Sequence, residues 1–325
     1  MFSCSWPAYL GGNESTKPWA AMIAAGCNSW RNWEDIQCGW SSLTQIIEHW
    51  GAFGKELASW AGPGHWHDPD MLLIGNQCLT LPEEQTQMAL WSISAAPLIM
   101  GNDLRNITAA SKAVLLNKGA IAVSQDTLGK MGHRLNVSAD GKTQLWARQL
   151  TGGAVAVGAY NYNGGTPTGV SLVEPGAYCT NATGVDNASS FGYSLLSCAA
   201  AVASSARCKG TPGFFYYSEG YNGQCTCARD GCAKRSHMGT YSVYKLAPGQ
   251  PATGVDVVVN FADLSAAGMV GAAAGDSFEV FDIWAEKTVG TFATSYTAKQ
   301  VPMHGTGFLK LTPVKTSAVS SLQRG

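Results

Sequence analysis

Gly62-Pro63-Gly64-His65-Trp66-His67-Asp68-Pro69-Asp70-Met71 is the stretch whose reading decides the fold. It pairs tryptophan, histidine and aspartate with chain-bending Gly and Pro, and runs straight into Leu72-Leu73-Ile74. That pattern reads as a short strand over Asp70–Ile74 with a polar loop at its end. Two earlier stretches have the same make-up: Cys4-Ser5-Trp6-Pro7-Ala8-Tyr9 and Cys27-Asn28-Ser29-Trp30-Arg31-Asn32-Trp33-Glu34-Asp35. Each sits at a predicted strand, near Met1–Ser5 and Gly26–Trp30. Further short strands are expected near Leu98–Gly101 and Ile121–Val123.

Helical periodicity separates these runs. One helix is expected near Ser41–Trp50 and another near Ala109–Leu116. The clearest follows Thr80, which suits an N-cap, with Pro82, Glu83 and Glu84 in the first turn. Repeated strand–helix units imply a parallel sheet, so residues 1–133 read as α/β. In closed parallel sheets the loops after the strands build the active site. Tryptophan beside Asp and Arg suits a sugar: the ring covers an apolar sugar face and the polar groups take the hydroxyls.

Beyond residue 133 the period changes. Gln144–Arg148 and Ala154–Tyr162 flank Thr151-Gly152-Gly153, a hairpin signal. Strand patterns return at Val255–Phe261, Ser277–Trp284, Val289–Tyr296 and Gly307–Leu311. Residues 134–325 therefore read as an antiparallel β domain, a sandwich, interrupted by a Cys-rich insertion at about 174–247. Residues 313–325 read as a disordered tail.

Composition narrows the function. Of 325 residues only 13% are charged, and the formal net charge is −1. A nucleic-acid partner would require a basic face. No apolar run reaches membrane-spanning length. Ten cysteines, six of them between Cys179 and Cys232, point to disulfides and an oxidising compartment. Sequons at Asn13, Asn106, Asn136, Asn181 and Asn187 add weak support in so Ser/Thr-rich a chain. Met1-Phe2-Ser3-Cys4 is no export signal. The expectation is a secreted or lysosomal/vacuolar protein whose signal peptide lies outside this sequence.

The three clusters, in this order and spacing, resemble glycoside hydrolase family 27, the α-galactosidases and α-N-acetylgalactosaminidases. Gln87-Met88-Ala89-Leu90-Trp91, Ala96-Pro97-Leu98, Asn102-Asp103-Leu104-Arg105 and Gln125-Asp126-Thr127-Leu128-Gly129 carry the same resemblance. It runs nearly unbroken over residues 3–132 and resumes at Phe278–Leu311, including Val301-Pro302-Met303-His304-Gly305. It implies a (β/α)8 TIM barrel followed by an antiparallel β domain. Such barrels take about 250 residues, and residues 1–133 resemble strands five to eight. The family's nucleophile is an aspartate in a Lys-x-Asp-Gly-Cys-like motif after strand four, and this sequence has no such motif.

By position, the resemblance makes Asp35 the acid/base residue of a retaining exo-glycosidase, working with a nucleophile outside this sequence. Without that nucleophile the chain is expected to be inactive. Arg31 and Asp70 match residues that bond sugar hydroxyls. Tyr9 falls in the first cluster of the substrate site. Ser5 and Ala8 replace the larger Glu and Leu of animal α-galactosidases, which favours N-acetylgalactosamine over galactose. Cys4 and Cys27 match a family disulfide, whose loop would contribute about 3 kcal/mol. Cys38 and Cys78 lack such counterparts and are expected to pair with each other. His67 stands where many relatives have Asn.

Arg31 lies four residues before Asp35. Within reach of it, the cation would hold the carboxyl low, against the needs of a general acid. The same spacing also fits a plain loop-fixing ion pair. His65 and His67 alternate as a metal pair would, but no third ligand is apparent, so no metal or cofactor is expected. Asp68 reads as structural. In the insertion, Phe214–Tyr217 and Tyr221–Cys227 resemble glycan-binding apple-like modules. A stapled surface loop with its own small core fits as well. Partners are terminal α-galactosyl or α-N-acetylgalactosaminyl glycans, and a homodimer stays open. A non-catalytic carbohydrate-binding protein is the other function class these residues allow, and a β-L-arabinopyranosidase a further family chemistry.

Overall fold

The computed structural model describes residues 1–162, 170–185, 193–208, 213–218, 223–246, 254–270 and 277–314. The sequon at Asn187, the start of the Tyr221–Cys227 run and the tail after Val314 lie outside the described residues, while Pro313 and Val314, expected in the tail, close the last strand.

The N-terminal segment holds β1 (Ser3–Cys4), α1 (Trp19–Ala24), β2 (Ser29–Arg31), α2 (Trp40–Trp60), β3 (Trp66–Asp68), α3 (Leu81–Ile93), α4 (Ala109–Leu115) and α5 (Lys118–Ser124). The three strands pair in parallel in the order β1-β2-β3. Leu72 and Met100 form one further parallel bridge. The strands expected at Asp70–Ile74 and Leu98–Gly101 shrink to that bridge. The expected strand at Ile121–Val123 is helical. Asn117 caps α5 by accepting from Ala120 N, and the apolar Ala120 and Val123 then face inward at helical spacing.

Helix α2 runs ten residues beyond the expected Ser41–Trp50. Trp40, Leu43, Ile47, Trp50 and Leu57 are all buried, keeping a spacing of three to four and its multiples. Around α3, Thr80 takes the N-cap position and Glu83 Oε2 accepts from its backbone N–H at 2.7 Å.

Antiparallel structure follows: β4 (His133–Val137), β5 (Thr143–Gln149), β6 (Val155–Asn161), β7 (Val170–Cys179), β8 (Ala182–Gly184), α6 (Leu195–Ser204), β9 (Phe214–Ser218), β10 (Gln224–Ala228), β11 (Arg235–Leu246), β12 (Val255–Asn260), α7 (Phe261–Ala266), β13 (Ser277–Asp282), β14 (Lys287–Phe292), β15 (Ser295–Val301) and β16 (Thr306–Val314). Six strands form one sheet, β14-β13-β16-β6-β5-β4, and β12-β15 form a second layer. Alternation puts Leu145, Ala147, Val155, Val157 and Ala159 into the core between those layers. Trp146, Ala156, Tyr160 and Phe308 point the other way, into the core shared with α2 and α3. Two expected strands divide: Phe261 starts α7, and Val289–Tyr296 breaks between β14 and β15.

The docking of the β part is polar as well as apolar. His304 Nδ1 meets Glu83 Oε1 at 2.8 Å while its ring stacks on Trp40 at 4.3 Å. Thr86 Oγ1 donates to His304 O at 2.6 Å, and Arg148, itself buried, donates to Ser92 O at 2.7 Å. Burial presses the Arg148 guanidinium down to about 10.

A separate five-stranded sheet, β7-β11-β9-β10-β8, carries three of the six clustered cysteines, Cys179, Cys225 and Cys227. It begins at Val170, four residues before the expected start of the insertion. Cys198–Cys225 and Cys208–Cys227 tie α6 and the turn after it to β10, and Cys179–Cys232 closes the far edge. All ten cysteines pair, including Cys4–Cys27 and Cys38–Cys78 as expected. Among the described residues no helix is long and apolar enough to cross a membrane, and no group of three or more His, Cys, Asp and Glu is placed to hold a metal.

Candidate active site

The site grows from the ends of three parallel strands. Register sets Arg31, the last residue of β2, beside Asp68, the last residue of β3. The chain then turns through Pro69 into Asp70, which takes φ +84°. That conformation is uncommon for a residue with a Cβ and is held by its surroundings. Asp70 N donates to Asp68 Oδ1 at 2.9 Å, and Trp91 Nε1 of α3 donates to Asp70 O at 2.8 Å. Gln87 clamps the next turn through Met71 O at 3.2 Å and Leu73 N at 2.8 Å. Burial pushes the Asp68 carboxyl up, against the lowering effect of the Asp70 N–H it accepts from.

Arg31 is the hub. Its Nη1 lies 2.7 Å from Asp70 Oδ2, and its Nη2 lies 3.2 Å from Asp35 Oδ1 and 2.9 Å from Glu34 O. The Asp70 carboxylate also accepts from Ile36 N at 2.9 Å, which ties the loop after β2 to the loop after β3. The three charged residues differ sharply in exposure. Asp70 and Arg31 side chains are 12% and 17% exposed, whereas Asp35 is 83% exposed. A half-buried ion pair therefore stands beside one exposed carboxylate.

That carboxylate lines a cavity of about 700 Å³ shared with Ala8, Tyr9, Trp33, Gln37 and Gln45. Ala8 and Tyr9 come from the one-and-a-half-turn helix Trp6–Leu10 that follows β1. Ser5 caps that helix, its carbonyl accepting from Ala8 N at 3.2 Å. Ser5 is exposed but does not line the cavity. Tyr9, 83% exposed, forms the outer rim. Cys4–Cys27 joins β1 to the turn before β2, and Cys38–Cys78 joins the loop carrying Asp35 to the turn before α3. Of the six site residues expected from the sequence, Ala8, Tyr9 and Asp35 line the cavity, whereas Arg31 and Asp70 reach it only through the Arg31–Asp35 ion pair and Ser5 lies outside it.

The two histidines hold no ligand geometry. His67 Nδ1 accepts from Trp30 Nε1 at 2.8 Å, and its Nε2 faces Leu57 O at 3.0 Å. His65 Nδ1 faces Trp60 O at 2.7 Å.

One constellation escaped the sequence reading. Glu14, Lys17 and His49 are buried behind Trp33. Glu14 Oε1 meets Lys17 Nζ at 2.8 Å and His49 Nε2 at 2.6 Å, and Lys17 Nζ also donates to Asn32 O. His49 stacks flat on Trp33 at 3.8 Å, so this charged cluster backs the cavity wall. In sequence, Glu14 and Lys17 look like a solvated pair at helical spacing, and nothing ties them to His49.

Residues 1–126 match the Melibiase_2 family model, described as alpha galactosidase A. Over those residues the chain is similar to the alpha-galactosidases. Human alpha-galactosidase A is 45% identical over 162 residues, covering 50% of this chain and 37% of that protein. Human alpha-N-acetylgalactosaminidase is 47% identical over 135 residues, covering 42% and 33%. The chain thus spans about a third of the length of these curated relatives. Alpha-galactosidase I from Mortierella vinacea superposes with a TM-score of 0.58 at 20% identity, over 93% of this chain and 57% of that one. A family 27 β-L-arabinopyranosidase from Geobacillus stearothermophilus gives 0.52 at 16% identity, over 94% and 48%. At those identities the superpositions speak for the fold. They extend the likeness of fold past residue 126 into the antiparallel β structure.

Proposed function

We propose that the protein is a retaining exo-glycosidase that removes terminal α-linked galactose or N-acetylgalactosamine. The observation that carries this reading is the Asp70–Arg31–Asp35 chain, which fixes two polar groups and leaves one carboxylate in a cavity beside Tyr9 and Trp33. In this reading Asp35 hands its proton to the glycosidic oxygen as the bond breaks, then takes one from the incoming water. Arg31 and Asp70 bond ring hydroxyls, and Trp33 and Tyr9 cover the apolar sugar face. The small side chain of Ala8 leaves room for a 2-acetamido group, which Ser5 on the neighbouring turn would bond. That favours N-acetylgalactosamine.

The covalent step needs a second carboxylate about 5–5.5 Å from the first. The family motif that supplies it is not among these 325 residues. The proposal therefore treats residues 1–133 as strands five to eight of a (β/α)8 barrel and residues 134–325 as its β domain with an insertion. Five disulfides support an oxidising compartment, secreted or lysosomal.

The test uses aryl α-galactoside and aryl α-N-acetylgalactosaminide. The 325-residue chain should release no aryl alcohol. A gene product that also carries the Lys-x-Asp-Gly-Cys-like motif should hydrolyse the acetamido substrate at least as well as the galactoside. Turnover by the 325-residue chain alone would overturn the assignment of the nucleophile.

A further inference from the structure

A second cavity, of about 550 Å³, opens in the β part. It shares no lining residue with the Asp35 cavity. Its wall is built from the β13–β14 hairpin, β15 and the turn before β16, with Gln85 of α3 at one side. Two aromatic rings line it, Trp284 and Tyr296, each only partly buried. Both are braced from behind. Trp284 packs on Phe308 at 5.5 Å and donates its indole N–H to Thr306 O at 2.8 Å. Tyr296 packs edge-on against Phe292 at 5.1 Å. A braced ring loses little freedom when a ligand lands on it.

Around the rings stand Asp282, Lys287, Lys299 and Gln300. Counted with Asp256, which pairs with Lys299 from outside the cleft, two acids stand against two lysines. Asp282 opposes Lys287 across the hairpin, and Lys299 Nζ is 2.7 Å from Asp256 Oδ2. Asp282 spends one oxygen on Ala285 N at 3.0 Å and keeps acceptor capacity on the other. Burial first, and the Asp282 charge second, hold the Tyr296 phenol above its ordinary value, so it stays a neutral donor. Aromatic faces ringed by hydrogen-bonding groups of no net charge match an uncharged, hydroxyl-rich ring. A phosphate or sulfate ligand would want a surplus of cations here, and an aliphatic one would want fewer polar groups. The volume falls within the range of small-ligand sites.

We propose that this cleft is a second carbohydrate site, taking an uncharged pyranose of a glycan against Trp284 and Tyr296. It goes beyond the hydrolytic reading, since none of its residues is assigned to catalysis. Binding here would anchor the glycan while Asp35 works at another terminus.

The experiment is a titration of the 325-residue chain, labelled with fluorotryptophan, by galactose and N-acetylgalactosamine, with mannitol as the open-chain control. Fluorine NMR reads Trp284, assigned through Trp284→Phe. The expected result is a saturable shift of the Trp284 resonance in the millimolar range for at least one pyranose and none for mannitol. Tyr296→Phe and Lys287→Ala, each with an unchanged melting curve, should weaken that binding about fivefold or more. Asp35→Asn should leave it unchanged. No saturable shift, an equal response to mannitol, indifference to both variants, or loss only in Asp35→Asn would each overturn the proposal. Absence of glycosidase turnover would not touch the titration, so the two readings fail separately.

Discussion

Acid should unfold this protein through one imidazole. His67 lies among Trp19, Trp30 and Trp50, with ring centroids at 4.9, 5.4 and 6.0 Å. Indole N–H can only donate, so Nδ1 of His67 must accept from Trp30, and the single ring proton sits on Nε2, aimed at Leu57 O. Protonating Nδ1 would set one N–H against another in a dry pocket. Burial accordingly drives the His67 pKa from 6.5 to about 3, opposed by the Leu57 carbonyl and assisted by the Lys17 and His65 charges. His67 is thus neutral when folded and takes up a proton on unfolding anywhere below pH 6.5. The stabilisation is complete above 6.5 and drains away as pH falls toward about 3. Each pH unit in that window costs about 1.4 kcal/mol, so about 2 kcal/mol is gone by about pH 5. The control is His67→Asn, which keeps an acceptor for Trp30 and cannot charge. It should be less stable near neutrality, by about 1–2 kcal/mol for the lost Leu57 bond. The gap should close at about pH 5. Urea unfolding at the two pH values, followed by tryptophan fluorescence, measures it. A gap that does not change with pH, or a His67 NMR titration near the ordinary histidine midpoint, would refute the reasoning.

Three further outcomes follow from the geometry. Glu14→Gln strands the buried Lys17 ammonium and should cost about 3–5 kcal/mol in urea unfolding, while Glu14→Gln with Lys17→Met should recover most of it. Near-additive effects would mean the pair is not coupled. At Gly12 an added Cβ would meet the Trp33 ring at 2.9 Å, and Trp33 cannot retreat because His49 is stacked behind it. Gly12→Ala should therefore reshape the Asp35 cavity, seen as a chemical-shift change at Trp33 with a melting point moved by only a few degrees, on a cost of about 1 kcal/mol. Cys38→Ser with Cys78→Ser opens a loop of 40 residues' separation and should cost about 4 kcal/mol in the chain-entropy description. Faster hydrogen exchange should be confined to the loop around Asp35 and the turn before α3, and uniform loosening would contradict a local brace.

Much of this was legible in the residues. The α3 helix announced itself through Thr80, Pro82 and Glu83, and the Arg31–Asp35 spacing anticipated the ion pair found. The Cys38–Cys78 pairing followed from two leftover cysteines near neighbouring strands. Short apolar runs were the weak point. Ile121–Val123 reads equally as a strand or a helical turn, and only Asn117, four residues upstream, decides for the helix. The strand expected at Asp70–Ile74 fails because Asp70 takes a left-handed conformation, which the flanking Asp68 and Trp91 impose through space. The Glu14–Lys17–His49 cluster was illegible for a different reason. Charge in a sequence signals solvent, and burial of a matched set becomes visible only once α2 brings His49 onto Glu14.

The role of Asp35 is the central claim, and one measurement meets it head on. In a gene product that also carries the Lys-x-Asp-Gly-Cys-like motif, Asp35→Asn should retain glycosylation by an activated aryl leaving group and lose cleavage of alkyl α-glycosides by about two to four orders of magnitude. Azide needs no general base, so it should restore aryl-substrate turnover and yield the α-configured glycosyl azide. An Asp35→Asn enzyme that cleaves alkyl and aryl glycosides as well as its parent, or that ignores azide, would contradict the account.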